Sequence, residues 1–115
     1  MRQVHGPKAA VPLSPAISTE DYVFVSGQVP DSFEDDIGAQ TAQVLDKVEA
    51  LLREAGTSLS NVVKATVFIT DRADFQGMNE VYARYFPVDP PTRSTVCVGL
   101  VVGAKVEIEV VARRG

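Results

Sequence analysis

Two alternating stretches contain the side chains best suited to chemistry. Arg93 lies near the start of the stretch 90–98, and Glu107 and Glu109 lie in the stretch 105–110. Side chains that alternate with period two are typical of β-strands. The planar guanidinium of an arginine can bind a carboxylate through two parallel hydrogen bonds. These stretches therefore contain either a carboxylate-binding arginine with nearby bases or a salt bridge on a solvated edge strand, which is common at protein surfaces.

The segment 100–103 separates the two stretches and predicts a hairpin. A turn centred there places Thr95 opposite Glu107 and Arg93 opposite Glu109. Facing residues of a hairpin lie on the same face of the sheet, so all four side chains are expected on one face. This expectation depends on the hairpin, and a longer crossover connection would remove it.

Length and composition exclude several classes of protein. The 115 residues have the size of a single domain, 1–115, and carry a net charge of −4, which argues against nucleic acid as a partner. One cysteine and one histidine exclude an internal disulfide, a zinc cluster and a triad with a catalytic histidine inside the fold. Neither a signal peptide nor a membrane-spanning run is evident. We therefore expect a cytoplasmic protein without a membrane partner.

The order of elements predicts an α+β domain, β-β-α-β-α-β-β, with a mixed sheet and two helices packed on one face. The predicted strands cover 17–29 (as a pair), 62–69 and the two alternating stretches. The first helix begins after Asp35 or Asp36 and ends at Gly56, and the second begins after Asp74. Gln40 falls among the polar positions of the first helix. The other face of the sheet would stay apolar, which favours a homo-oligomer with clefts between subunits.

Two further residues have both a structural and a functional interpretation. Gly27 ends a predicted strand, where it indicates a bulge, the close approach of a ligand, or no more than a strand end. Asn79 lies beside the apolar stripe of the second helix, where its amide either binds the backbone or lines a cavity. The sequence alone leaves these alternatives open.

Several motifs resemble those of the RidA/YjgF family. They are Ser26-Gly27-Gln28-Val29-Pro30, the strand 61–69, the helical segment Met78-Asn79-Glu80-Val81-Tyr82, the signature Pro91-Thr92-Arg93-Ser94, and the strand Val106-Glu107-Ile108-Glu109. The resemblance covers nearly the whole chain in order. It implies a chorismate-mutase-like α+β fold assembled as a homotrimer, with the site between subunits.

The resemblance also implies a function. Active members hydrolyse reactive 2-imino and enamino acids, such as 2-aminoacrylate, to 2-oxo acids and ammonia, without a metal or cofactor. Arg93 would bind the substrate carboxylate and Glu107 would orient or activate water. Gly27, Asn79 and Thr95 would line the substrate site.

Leu13 departs from the family pattern, because active members usually have a tyrosine at this position. The alternative function is therefore a non-catalytic, trimeric protein that binds small carboxylates or acts like a chaperone. Cys97 does not occupy the family's cysteine position and is expected to be a small strand residue.

Overall fold

Residues 2–115 form a mixed sheet covered on one side by two α-helices, as described by a computed structural model. The elements in chain order are β1 (Gln3–His5), β2 (Ala16–Ser18), β3 (Tyr22–Gln28), α1 (Ile37–Glu54), β4 (Val62–Ile69), α2 (Phe75–Tyr85), β5 (Thr92–Cys97) and β6 (Val106–Arg113). The predicted elements are confirmed, and β1 is one strand more than the sequence predicted. No helix within these residues combines the length and the apolar character needed to cross a bilayer.

The strands are arranged in the order β1-β2-β3-β6-β4-β5. The predicted hairpin between β5 and β6 is wrong, because β5 pairs in parallel with β4, while β6 lies between β3 and β4 and is antiparallel to both. The burial of each strand gives the physical reason. One face of β6 is apolar and fully buried, so β6 gains most from a central position, whereas the more polar and exposed β5 suits an edge.

The core lies between the sheet and the helices. Val25 of β3, Ala65 of β4 and Ile108 of β6 lie on this helix-covered face and are almost completely buried. The opposite face, which we call the open face, carries exposed aromatic side chains, Tyr22 and Phe24 of β3. The expectation that one face of the sheet remains partly apolar is therefore confirmed.

Helix α1 begins at its predicted cap, since the Asp36 carboxylate accepts a hydrogen bond of 2.9 Å from the Ala39 amide. It ends before Gly56, whose φ of +89° suits the left-handed position that closes a helix. Gln40 differs from the sequence expectation because it is completely buried. Its amide nitrogen donates to the carbonyls of Phe33 and Asp35, and its oxygen accepts from the Lys105 amide.

Candidate active site

Arg93 lies on the helix-covered face of the sheet. It is opposite Ala65 in the β4–β5 pair, and Ala65 is part of the core. The guanidinium carbon of Arg93 lies 4.8 Å from the ring centre of Tyr82 and 5.9 Å from that of Phe75. Both distances are within the roughly 6 Å at which an aromatic face attracts a cation. Arg93 forms no salt bridge with any carboxylate of residues 2–115, so the interpretation of an edge-strand ion pair is wrong.

Three polar side chains share the side of α2 or the face of β5 at which Arg93 and Tyr82 meet. We call this group the Arg93 cluster: Arg93, Thr95, Asn79 and Tyr82. Asn79 and Tyr82 are three residues apart on α2 and so lie on the same side of the helix. Thr95 is two residues beyond Arg93 on β5 and so shares its face. The predicted site residues Arg93, Asn79 and Thr95 are therefore brought to the contact between α2 and β5.

The cluster contains every buried side-chain polar atom of residues 2–115 that has no hydrogen-bond partner. These atoms are Asn79 Oδ1, Tyr82 Oη and Thr95 Oγ1. A buried polar atom without a partner costs about 1–3 kcal/mol of stability. Such atoms often mark a place where a water molecule or a ligand supplies the missing hydrogen bond. For Asn79, the alternative of a backbone partner is wrong, since Oδ1 is unpaired.

Tyr82 is a member of the cluster that sequence reasoning missed. Its helical spacing placed it in the apolar stripe of α2, and its ring is indeed 95% buried. The signal that could have found it is its separation of three residues from Asn79. Burial raises the pKa of the Tyr82 hydroxyl above its usual value, while the positive charge of Arg93 opposes that rise. The hydroxyl is therefore neutral at physiological pH and can donate a hydrogen bond.

Glu107 lies on the open face of the sheet, where it is paired with Phe68 of β4. It is partly buried and forms no salt bridge within residues 2–115. Burial raises the pKa of the Glu107 carboxyl group, and the negative charge of Glu109 raises it further. A raised pKa makes a carboxylate a stronger base, which favours proton transfer from water.

The side chain of Glu107 leaves no room for a side chain at position 27. The pairing of β3 with β6 shifts by one residue between Val25 and Gln28, so Gly27 lies in a β-bulge. A Cβ atom at position 27 would overlap a carboxylate oxygen of Glu107. Of the alternatives that the sequence left open, the bulge is the one that the structure shows, and the group that approaches Gly27 closely within this chain is a side chain.

Leu13 lines a cleft of about 480 Å³ beside Gly27. The cleft lies between the proline-rich segment that follows β1 and the side of α1 that carries Leu51. Half of the Leu13 surface is exposed. Leu13 thus contributes an apolar side chain to the wall of this cleft.

The predicted site residues form two groups rather than one. Arg93 shares the row of side chains that contains Ala65 and Val110, which face the helices. Glu107 shares a row with Phe68 on the open face. The expectation that Arg93 and the two glutamates lie on one face is therefore wrong, because β4 separates their strands and the two rows point in opposite directions.

The comparison with known proteins identifies the family. The model of the Endoribonuclease L-PSP family matches residues 3–114. The chain belongs to this family. It is the YjgF/RidA family, so the resemblance seen in the sequence and the α+β fold that it implied are both confirmed.

Individual YjgF/RidA relatives agree with this assignment. "Reactive Intermediate Deaminase A, chloroplastic" of Arabidopsis thaliana is 41% identical over 113 residues, which cover 92% of this chain and 60% of that protein. The crystal structure of yeast Mmf1 matches with a TM-score of 0.94 and 33% identity, over the whole of both chains. YyfA of Yersinia pestis, described as a Rid-family protein of unknown function, matches with a TM-score of 0.91 and 41% identity, over 98% of this chain and 99% of that one.

Within residues 2–115, no three histidine, cysteine, aspartate or glutamate side chains lie together in a way that could hold a metal ion. The polar groups described above are a guanidinium, a carboxyl group with a raised pKa, and three unpaired oxygens.

Proposed function

We propose that the chain hydrolyses reactive 2-imino and enamino acids, such as 2-aminoacrylate, to 2-oxo acids and ammonia. The observation that carries this proposal is the guanidinium of Arg93, which lies 4.8 Å from the ring centre of Tyr82 and has no carboxylate partner within residues 2–115. The hydroxyl of Tyr82 is one of the three unpaired buried oxygens. A guanidinium whose N–H donors have no anionic partner is suited to bind the carboxylate of a small acid. The deaminase name of the Arabidopsis relative supports the choice of reaction.

Glu107 would act as the base. An imine carbon is already electrophilic, so orientation and one proton-transferring group can suffice. Glu107 accepts a proton from water as the new C–O bond forms, the π electrons of the C=N bond move to nitrogen, and Glu107 then gives this proton to nitrogen, which yields the neutral carbinolamine and restores the carboxylate. Glu107 then accepts the hydroxyl proton of the carbinolamine and returns it to nitrogen, the C–N bond breaks, and ammonia leaves. An enamine first tautomerises to the imine by gaining a proton at C3 and losing one from nitrogen.

The site would lie between two copies of the chain, because Arg93 and Glu107 lie on opposite faces of the sheet in one copy. A homotrimer, as expected from the family resemblance, would supply Arg93 from one copy and Glu107 with Gly27 from the next. The exposed Tyr22 and Phe24 of the open face would become buried in such an assembly.

A non-catalytic carboxylate-binding protein is the second candidate, and Leu13 favours it. Leu13 cannot donate a hydrogen bond to the attacking water, so Glu107 would have to orient the water alone. In that case 2-oxo acids would raise the melting temperature by binding the native state, yet imines would not decay faster. The family description names a third candidate, a ribonuclease. The net charge of −4 disfavours it, because binding of nucleic acid requires a basic surface.

The experiment generates 2-aminoacrylate in the assay with a pyridoxal-phosphate enzyme and follows its decay. We expect the wild type to accelerate the decay and Arg93→Ala to lose most of this effect. Removing a charged partner from a buried contact costs on the order of 2–5 kcal/mol. Arg84→Ala is the matched control, since Arg84 lies exposed on α2. A wild type that matches the reaction without protein contradicts the proposed enzyme.

A further inference from the structure

The Arg93 guanidinium lies over the ring of Tyr82, and this ring packs on a second aromatic ring. The ring of Tyr82 is 95% buried and packs on Phe86, with 4.7 Å between the ring centres and an angle of 37° between the planes. Phe75 is 45% exposed and lies farther from the guanidinium, at 5.9 Å. Tyr82 is therefore the nearer and better fixed of the two aromatic neighbours of Arg93.

A guanidinium whose face stacks on an aromatic ring keeps its hydrogen-bonding edge free. Its N–H groups lie in the plane of the group and point outward, whereas the contact with the ring uses the face. A carboxylate binds at this edge through two parallel hydrogen bonds. A side chain whose orientation is already restricted loses less conformational entropy when the ligand binds.

We propose that Tyr82 is a positioning residue for carboxylate recognition: its ring forms the platform that holds the Arg93 guanidinium in the orientation that a carboxylate requires. This inference rests on the proposed function, because it needs an anionic ligand at Arg93. The aromatic ring performs this role, and the hydroxyl does not. Tyr82→Phe therefore keeps the platform, and it also removes one of the unpaired buried oxygens of the cluster.

The experiment measures the dissociation constant of 2-oxobutanoate by titration calorimetry for the wild type, Tyr82→Leu and Tyr82→Phe. A partly desolvated cation–ring contact corresponds to an affinity change of about fivefold to tenfold. We expect Tyr82→Leu to weaken binding by this factor and Tyr82→Phe to restore it to within about twofold of the wild type. Tyr85→Leu is the matched control, since Tyr85 is on the same helix but bonds to Asp46 on α1.

A double-mutant cycle separates positioning from general damage to the fold. Lys is a flexible point charge without a planar group to stack. If Tyr82 acts through the guanidinium plane, Tyr82→Leu weakens binding much less in an Arg93→Lys background than in the wild type. An equal loss in both backgrounds, or an equal loss in Tyr85→Leu, overturns the proposal.

A series of fluorinated phenylalanines at position 82 tests the same contact if Tyr82→Leu does not fold. Fluorine withdraws electrons from the ring face with little change in shape, so the affinity should fall with each added fluorine. A constant affinity along the series overturns the proposal, as does a loss in Tyr82→Phe equal to that in Tyr82→Leu. A wild type that does not bind 2-oxobutanoate contradicts the proposed function itself. Binding and imine decay that are normal in the wild type and unchanged in every Tyr82 variant contradict only the role of Tyr82.

Discussion

Two causes raise the pKa of the Glu107 carboxyl group and so favour its protonated form. The larger is partial burial, and the other is the negative charge of Glu109. A base must be deprotonated before it can accept a proton from water. The rise of activity with pH should therefore lie above the ordinary glutamate pKa of about 4.3.

Replacing Glu109 with Gln should shift the pH dependence of the reaction. The substitution removes one of the two causes that raise the pKa of Glu107, so the pKa falls towards its ordinary value. We expect the rising limb of kcat/KM to move to lower pH in Glu109→Gln. The measurement is the pH profile of imine decay, corrected for the decay without enzyme. Glu80→Gln, at an exposed position on α2, should leave the profile in place, and a limb that stays or moves to higher pH in Glu109→Gln contradicts the assignment.

Most candidate residues could be chosen from the sequence, but their surroundings could not. The motifs around Arg93 and Glu107 identified both side chains by type and by family pattern. The face on which each lies depends on the strand that it pairs with, and a change of partner changes every neighbour. Tyr82 shows the same limit, because helical spacing predicts its burial but not that a guanidinium covers its ring.

Helix α1 is attached to two other parts of the chain through the side chain of Gln40. The amide of Gln40 satisfies two carbonyls of the acidic loop before the helix, at Phe33 and Asp35, and the amide of Lys105 just before β6. All three hydrogen bonds are 2.8–3.0 Å long. Gln40 therefore fixes the start of the strand that carries Glu107.

Gln40→Leu should destabilise the protein. The substitution keeps the volume similar but leaves the Phe33 carbonyl and the Lys105 amide without partners, at a cost on the order of 2–4 kcal/mol. The Asp35 carbonyl keeps its hydrogen bond from Lys105 Nζ. The measurement is urea denaturation at one fixed protein concentration. The matched control is Gln76→Leu, an exposed position on α2, which should change stability by less than about 0.5 kcal/mol. Equal midpoints for the two variants would show that the hydrogen bonds of Gln40 contribute little.

Apart from β1, the individual helices and strands follow from local sequence, whereas the order of the strands does not. Asp36 and Gly56 delimit α1 as their capping preferences predict. The segment after β5 suggested a hairpin, because strands that are neighbours in sequence usually pair. The observed order depends instead on the burial of the apolar face of β6 between β3 and β4, which is a property of the whole sheet.

At the scale of the whole molecule, the opposite placement of Arg93 and Glu107 allows a test of where the site is assembled. Arg93→Ala and Glu107→Ala should each be inactive alone. If the two residues of a site come from different copies, random mixing of the two variants restores about one intact site in four, whatever the number of copies in the ring.

The measurement is imine decay after the two variants have been dissociated together and reassembled in equal amounts. We expect roughly a quarter of the activity of wild-type protein treated in the same way. Each variant reassembled alone is the control and should stay inactive. A mixture that remains as inactive as its components would mean that both residues of a site belong to one copy.

The central position of β6 also has a consequence for synthesis of the protein on the ribosome. The strand next to both β3 and β4 is the one that is translated after the other five. A nascent chain that ends before Val106 therefore exposes two unpaired strand edges and lacks the apolar row that closes the core. We expect the chain to fold only after β6 has left the exit tunnel, so that Glu107 is added in the same event that completes the fold.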